Sequence, residues 1–289
     1  MIDPRIVVEV VQKGDDYSSL LEDSHSALVT AEFALAAGLD NVISQLTSEL
    51  GEAELEFLLF RKSQMNNDAA LASEHLTNAL NHSRNQSNRS HLLEARIRME
   101  WGLLRYSQGE EVEAGVDLRW AVERLGALNE GHPWHGLALL NMATWHTNRG
   151  EYGMALAMYS EIRRESPHSV EIIAISRRRA AELFMQKNHN YTALRNLWVA
   201  HHGFRDCKMK EEAIESGLHW IDVGLEHVSD NAATMEQAIT NASPRSIGEK
   251  FPNVAINRDD LRYMVDWLNE QECADETGLL DEAIQTLQS

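Results

Sequence analysis

The chain has few of the features that mark secreted, membrane-spanning or disulfide-stabilised proteins. Its two cysteines, Cys207 and Cys273, lie far apart and form neither a disulfide framework nor a CxxC pair of metal ligands. Residues 1–11 have no basic start, no long apolar core and no small-residue cleavage site. No apolar run approaches the roughly 20 residues that a membrane helix needs. These absences favour a soluble, cytoplasmic protein.

Basic side chains are also scarce. The 289 residues include 26 Lys and Arg against 45 Asp and Glu, which gives a formal net charge of −19 at pH 7. A nucleic-acid-binding protein is expected to carry a basic surface, and an anionic membrane would repel an acidic one. The hydrophobic content of 43% is nevertheless enough for a core. We therefore expect a folded protein with neither nucleic acid nor membrane as a partner.

Proline and glycine are sparse as well, with 5 and 16 residues. Apolar residues recur at steps of three and four almost throughout, and this periodicity predicts an all-α protein. The first helix is expected to begin after a cap at Asp3 and to end at Gly14. Its predicted apolar stripe consists of Ile6, Val7, Val10 and Val11.

Four segments of the chain share one spacing pattern. Each segment starts at a residue that we call the anchor: Phe60, Gly102, Ala143 or Ala181. The anchor is a small residue in every segment except the first. Seven residues later comes a Gly or Asn: Asn67, Gly109, Gly150 and Asn188. Twelve residues after the anchor comes an alanine, and these alanines (Ala72, Ala114, Ala155 and Ala193) are 42, 41 and 38 residues apart. A small anchor lets a second helix approach, and Gly or Asn can end the first helix in the left-handed conformation, so each segment predicts two helices joined by a tight turn. Such pairs must stack to bury their apolar faces.

Residues 131–167 resemble a tetratricopeptide repeat (TPR), with Ala143, the Gly150-Glu151-Tyr152 turn, Ala155, Tyr159 and a closing Pro167. The long step between repeats resembles the subclass found in kinesin light chains. This resemblance implies a right-handed α-solenoid of antiparallel helix pairs. It also implies a concave surface, lined by the first helix of each pair, that often grips a peptide.

The chain is predicted to have three parts. Residues 1–52 would form N-terminal helices that are a divergent repeat or a cap, and residues 53–242 would form the TPR-like repeats. Residues 243–289 would form a linker followed by acidic helices with nine carboxylates against two arginines, and these helices would be capped by Asn257 and Thr277. Two roles are open for these helices: they could cap the array or occupy its groove.

Helical spacing from the anchors selects the residues that would line the groove. The candidate peptide-binding residues are Arg61, Arg96, Met99, Leu103, Tyr106, Asn141, Thr144, Asn148, Arg178 and Glu182. Arginines along this face of an acidic protein could attract a partner with acidic or carboxylate groups. The alternative is that they pair within their own helices, as Arg178 and Glu182 could do at positions i and i+4.

The leading interpretation is a non-enzymatic scaffold that binds a protein or peptide partner. The sequence contains no HExxH, P-loop, GxSxG or GxGxxG motif, so we predict no catalytic residue, metal or cofactor. One alternative is a sensor or regulatory module acting in trans on an ATPase or transcription regulator. A less favoured one is a metal-dependent enzyme that uses His201, His202, His219 and Asp222.

Overall fold

The structure, a computed structural model, describes residues 2–85, 90–129, 132–163, 167–241, 254–273 and 278–289. The chain divides into two compact units, Met1–Glu130 and Gly131–Ser289. The boundary between these units lies inside the predicted repeat segment 53–242. Each unit contains an apolar core.

The first unit is helical. Its α-helices are α1 (Pro4–Lys13), α2 (Ser24–Ala36), α3 (Asp40–Leu46), α4 (Glu52–Met65), α5 (Ala69–Asn85), α6 (His91–Ser107) and α7 (Glu111–Asn129). Two short 3-10 helices, Ser18–Leu20 and Thr47–Glu49, flank α2 and α3.

The described residues of the second unit are helical apart from one small pair of strands. Its α-helices are α8 (Pro133–Asn148), α9 (Tyr152–Glu161), α10 (Val170–Gln186), α11 (Asn190–Asp206), α12 (Lys210–Gly224), α13 (Met235–Thr240), α14 (Arg258–Glu270) and α15 (Leu279–Gln288). A 3-10 helix, Leu225–His227, leads into β1 (Val228–Ser229), which pairs in parallel with β2 (Ile256–Asn257). The prediction of an all-α protein is therefore confirmed for the described residues.

The four predicted helix pairs are present as α4–α5, α6–α7, α8–α9 and α10–α11, and the two helices of each pair pack against each other. Alanines at the twelfth position (Ala72, Ala114, Ala155 and Ala193) are all buried. The next turn of each second helix contributes Leu76, Leu118, Tyr159 and Leu197, which are buried as well. The shared spacing thus corresponds to a shared packing arrangement. The antiparallel direction and the right-handed solenoid implied by the resemblance stay predictions.

The turn inside each pair has one backbone geometry. Asn67, Gly109, Gly150 and Asn188 have φ values of 57°, 84°, 73° and 56°, so the predicted left-handed residues are confirmed. The next residue donates its N–H to a carbonyl five positions back, as Glu110 does to Arg105 at 2.9 Å. This bond satisfies a carbonyl that the helix end would otherwise leave without a partner. Lys208 ends α11 in the same way with a φ of 61°, which the sequence pattern did not predict.

The small anchor at Gly102 is required by the close approach of two helices. A Cβ added there would lie 2.8 Å from Cγ of Leu118 and 3.1 Å from the carbonyl oxygen of Ala114, both on α7. Real side chains do not tolerate the shorter of these distances. The α6–α7 pair therefore depends on glycine at this position.

The first helix confirms its predicted ends but not its predicted face. The Asp3 side chain accepts a hydrogen bond from the Arg5 N–H, and Gly14 ends α1 with a φ of 76°. Val7, Val8 and Val11 are buried, whereas Ile6 is 51% exposed. The prediction that Ile6 belongs to the buried stripe is wrong, because the packed face of α1 is rotated toward Val8.

Most of the predicted linker before the acidic tail lies outside the described residues, and so does the predicted cap Thr277. Asn257, the other predicted cap, accepts a hydrogen bond from the Asp259 N–H at the start of α14. None of the described helices is long and apolar enough to cross a membrane.

Candidate functional site

The predicted groove residues are divided between the two units. The first unit contains Arg61, Arg96, Met99, Leu103 and Tyr106; the second contains Asn141, Thr144, Asn148, Arg178 and Glu182. They therefore form two separate sets.

Two residues of the first set are inside the protein. Arg96 and Met99 on α6 are both 0% exposed, so the prediction that they line an open groove is wrong. Nη2 of Arg96 donates hydrogen bonds to both carboxylate oxygens of Glu32 on α2, at 2.6 and 2.8 Å. The prediction is wrong because α6 packs on α7 with one face and is covered by other helices on a further face.

Arg61 belongs to the same cluster of charges. Its Nε donates to Glu32 at 3.2 Å, and its Nη2 donates to Glu100 at 2.8 Å. Both Arg61 and Arg96 also lie 5.0 Å from the centre of the Phe57 ring. Two arginines are thus matched by two glutamates, a nearly buried set that we call the Glu32 cluster (Glu32, Arg61, Arg96 and Glu100). These arginines already have acidic partners within the chain, so they offer little attraction to an acidic ligand.

The remaining candidates of the first and second sets are more accessible. Leu103 is 37% exposed and Tyr106 is half-buried. Asn141 is half-buried, while Thr144 and Asn148 on α8 are exposed. The Thr144 hydroxyl donates to the Leu140 carbonyl at 2.9 Å, one turn back on its own helix. The role of these residues in binding a peptide stays a prediction.

Arg178 lines a groove in the second unit, between α10 and α12. We call this depression, with a volume of about 340 Å³, the α10–α12 groove. Its lining residues are Ile175, Arg178, Arg179, Phe204, Met209, Glu211, Glu212 and Glu215. Of the residues selected from sequence, Arg178 alone is part of this lining, and Glu182 adjoins it through an ion pair.

Arg178 is held by carboxylates on both sides of the groove. It pairs with Glu215 on α12, and its Nε lies 3.7 Å from Glu182 on α10. Arg179 also pairs with Glu182, at 3.1 Å. The alternative interpretation of Arg178 as one half of an i,i+4 pair is therefore confirmed, with an additional partner on the neighbouring helix.

The floor of the groove is apolar. Phe204 on α11 is 1% exposed, and Ile175 and Met209 are half-buried beside it. Sequence reasoning missed these residues and the three glutamates of α12, because it counted only from the anchors of the four clear repeats. The sequence Glu211-Glu212 followed by Glu215 was the available signal, since positions i and i+4 share a helix face.

The histidines considered as metal ligands have different environments in the structure. His201 is 0% exposed, and its Nδ1 donates to the Ala213 carbonyl at 3.0 Å. Burial lowers the pKa of His201 to about 4. The His202 ring stacks on Tyr263 of α14 at 5.4 Å, whereas His219 and Asp222 are exposed on α12. Within the described parts of the chain, no group of three or more His, Cys, Asp or Glu residues is arranged to hold a metal ion.

The described part of the acidic tail packs on α12. Leu261, Met264, Val265 and Leu268 of α14 are buried in the core of the second unit. Asp260 accepts a hydrogen bond from the Met235 N–H at 2.7 Å, at the start of α13. No described tail residue lines the α10–α12 groove. Both roles predicted for the tail, as a cap of the array or as an occupant of its groove, stay predictions.

The sequence matches no protein-family model and no curated protein. Among solved structures, it is similar to the crystal structure of BtubC (BKLC) from P. vanneervenii. The two chains are 14% identical, with a TM-score of 0.42, and the match covers 80% of this chain and 96% of the other. The assignment of a helical-repeat fold rests on the helix pairs and turns described above.

Proposed function

We propose that this protein is a non-enzymatic, TPR-like scaffold that binds a protein or peptide partner. The observation that carries the proposal is the α10–α12 groove, which combines an apolar floor with charged walls between helices of successive repeats. The proposal assigns the chain no catalytic residue, metal or cofactor, and no nucleic-acid or membrane partner. It places the protein in the cytoplasm, where free thiols such as Cys207 and Cys273 are expected.

The character of the groove suits a peptide side chain. Ile175 and Met209, half-buried above the fully buried Phe204, form an apolar surface on which an anchoring side chain loses contact with water. Such anchors supply most of the affinity of peptide recognition. The side chains of Arg179 and Glu215 are 58% and 56% exposed at the edge of the groove, where they can form polar contacts that orient the bound peptide. This division between an apolar centre and a polar edge is typical of binding surfaces.

A second candidate is the sensor module acting in trans, and one observation favours it. The groove volume of about 340 Å³ falls near the lower end of the range for small-molecule sites, about 300–1,000 Å³. A small ligand bound there would raise the midpoint of thermal unfolding as its concentration increases.

The peptide proposal is tested by filling the groove. Peptides are selected on the full chain from a displayed random 12-residue library, and their affinities are measured by calorimetry. Ile175→Trp is expected to weaken binding about ten-fold or more, because the indole occupies the space of the anchor. Met154→Trp is the matched control, since Met154 is 52% exposed on α9 and lies away from the groove.

The control is expected to keep the affinity of the unmodified protein, and both variants should keep its helical circular dichroism. Equal affinities for the two tryptophan variants would show that the peptides bind elsewhere. Failure to select any peptide that binds the folded chain would refute the proposed function itself.

A further inference from the structure

The charges on the wall of the α10–α12 groove indicate what kind of peptide it accepts. This inference rests on the proposed function and concerns the same groove. Four of the charged side chains neutralise one another: Arg178 and Arg179 pair with Glu182 and Glu215. A ligand that binds beside these four groups meets no net charge from them.

Glu211 and Glu212 are different. Both line the groove from the first turn of α12. Among the described residues, neither carboxylate has a cationic side chain within ion-pair distance. Lys208 and Lys210 are their neighbours in sequence, but neither lysine lines the groove. The wall formed by α12 therefore has two carboxylates that no described cation offsets.

The helix terminus compensates for this charge only in part. The N-terminus of an α-helix acts as roughly half of a positive elementary charge, which stabilises acidic residues in the first turn. Two carboxylates exceed that compensation by about one and a half charges. The potential at this wall is thus negative, and the net charge of −19 on the whole chain adds to it.

We infer that the α10–α12 groove accepts a basic peptide segment, with an apolar side chain on Ile175 and Met209 and a Lys or Arg over Glu211 and Glu212. This charge preference is opposite to the one expected from the arginines of the sequence. Acidic segments would face Glu211 and Glu212 with repulsion, because the nearby arginines are already paired.

The inference is tested on the peptides selected from the random library. Binders are expected to have a net positive charge and at least one large apolar residue, and their affinity should fall when NaCl is raised from 50 to 500 mM. The double variant Glu211→Gln/Glu212→Gln should weaken their binding about three- to ten-fold, as the loss of two partly exposed charge contacts predicts.

The control is Asp222→Asn/Glu226→Gln, which removes the same amount of charge from exposed positions outside the groove. It is expected to change the affinity by less than about two-fold, because distant surface charges are screened. Selected peptides that are acidic, or equal effects of the two double variants, would overturn the inference. The proposed function would survive either result if Ile175→Trp still weakened binding about ten-fold or more.

Discussion

At the scale of single residues, Arg96 is a charged side chain that is completely buried in the first unit. Its guanidinium is 0% exposed, and burial lowers its pKa while the Glu32 carboxylate opposes that shift. A guanidinium nevertheless stays charged in proteins. The Glu32 cluster is therefore a structural requirement, since removal of one partner leaves the other charge poorly compensated.

We predict that Arg96→Met lowers the free energy of unfolding by about 3 kcal/mol or more, because Glu32 then loses its most buried partner. Urea unfolding of the full chain measures the change. Arg262→Ala is the control: Arg262 is 52% exposed and pairs with an exposed Asp259, so the expected change is within about 0.5 kcal/mol.

A double variant separates the charge effect from the loss of packing. In Glu32→Leu/Arg96→Met both buried partners become apolar, and we expect it to be more stable than Arg96→Met alone. If the double variant is less stable than the single one, the charge of Glu32 is not what makes Arg96 necessary.

The fold strongly affects the protonation of His201. Its ring lies 4.6 Å from the Trp267 ring and bonds the Ala213 carbonyl, so α12 and α14 both enclose it. Its pKa of about 4 lies below the 6.5 of an ordinary histidine. Between these two values the unfolded chain binds a proton that the folded chain excludes, so acid shifts the equilibrium toward unfolding.

We predict that the protein loses up to about 3 kcal/mol of its free energy of unfolding through His201 as the pH falls from 7 to 4. Above about pH 6.5 His201 is neutral in both the folded and the unfolded chain, so none of this stability is lost there. His201→Asn keeps a donor near the position of Nδ1 and does not titrate. The variant should be less stable than the unmodified protein at pH 7, because asparagine fills less of the buried space. Its free energy of unfolding should fall less on acidification, because asparagine does not titrate. The measurement is the urea midpoint across this pH range, with His219→Asn as the exposed control. An unchanged pH profile for His201→Asn would contradict the assignment.

At the scale of elements, the turns decide where each helix ends. Gly109 has a φ of 84°, and an added Cβ there would contact nothing within 4 Å. Any cost of a side chain at this position is therefore a backbone cost. Lys208 adopts a similar conformation without being a glycine, which costs about 1 kcal/mol.

We predict that Gly109→Ala destabilises the protein by about 1 kcal/mol, whereas Lys208→Gly stabilises it by about 0.5 kcal/mol after the extra entropy of glycine in the unfolded chain is included. Chemical denaturation measures both. Gly153→Ala provides the comparison, because Gly153 lies in the first turn of α9 with ordinary helical geometry and open space around it. This third change should be neutral or stabilising by up to about 1 kcal/mol. A common sign for the two alanine variants would show that φ is not the cause.

At the scale of the whole molecule, the chain consists of two compact units, and each contains an apolar core. The core of the first unit includes Phe57 and Leu76, and that of the second includes Trp220 and Met264. The acidic tail belongs to the second core through α14. Such a division is not visible in the spacing of the repeats, since the pattern from Phe60 to Ala193 continues across residues 130 and 131.

The amino-acid sequence by itself determined the helical class, the helix pairs and the turns at Asn67, Gly109, Gly150 and Asn188. These features depend on contacts between residues close in sequence, on φ preferences and on the periodicity of apolar side chains. Neighbouring residues are sufficient to specify each of them.

Only the tertiary structure decided which polar side chains are accessible. Arg96 meets Glu32 across 64 positions of the chain, and Arg178 meets Glu215 across 37. Helical spacing shows which face of a helix turns away from its paired helix, but it does not show which other helix covers that face. The electrostatic character of a groove is the sum of charges from several helices, so it depends on long-range packing.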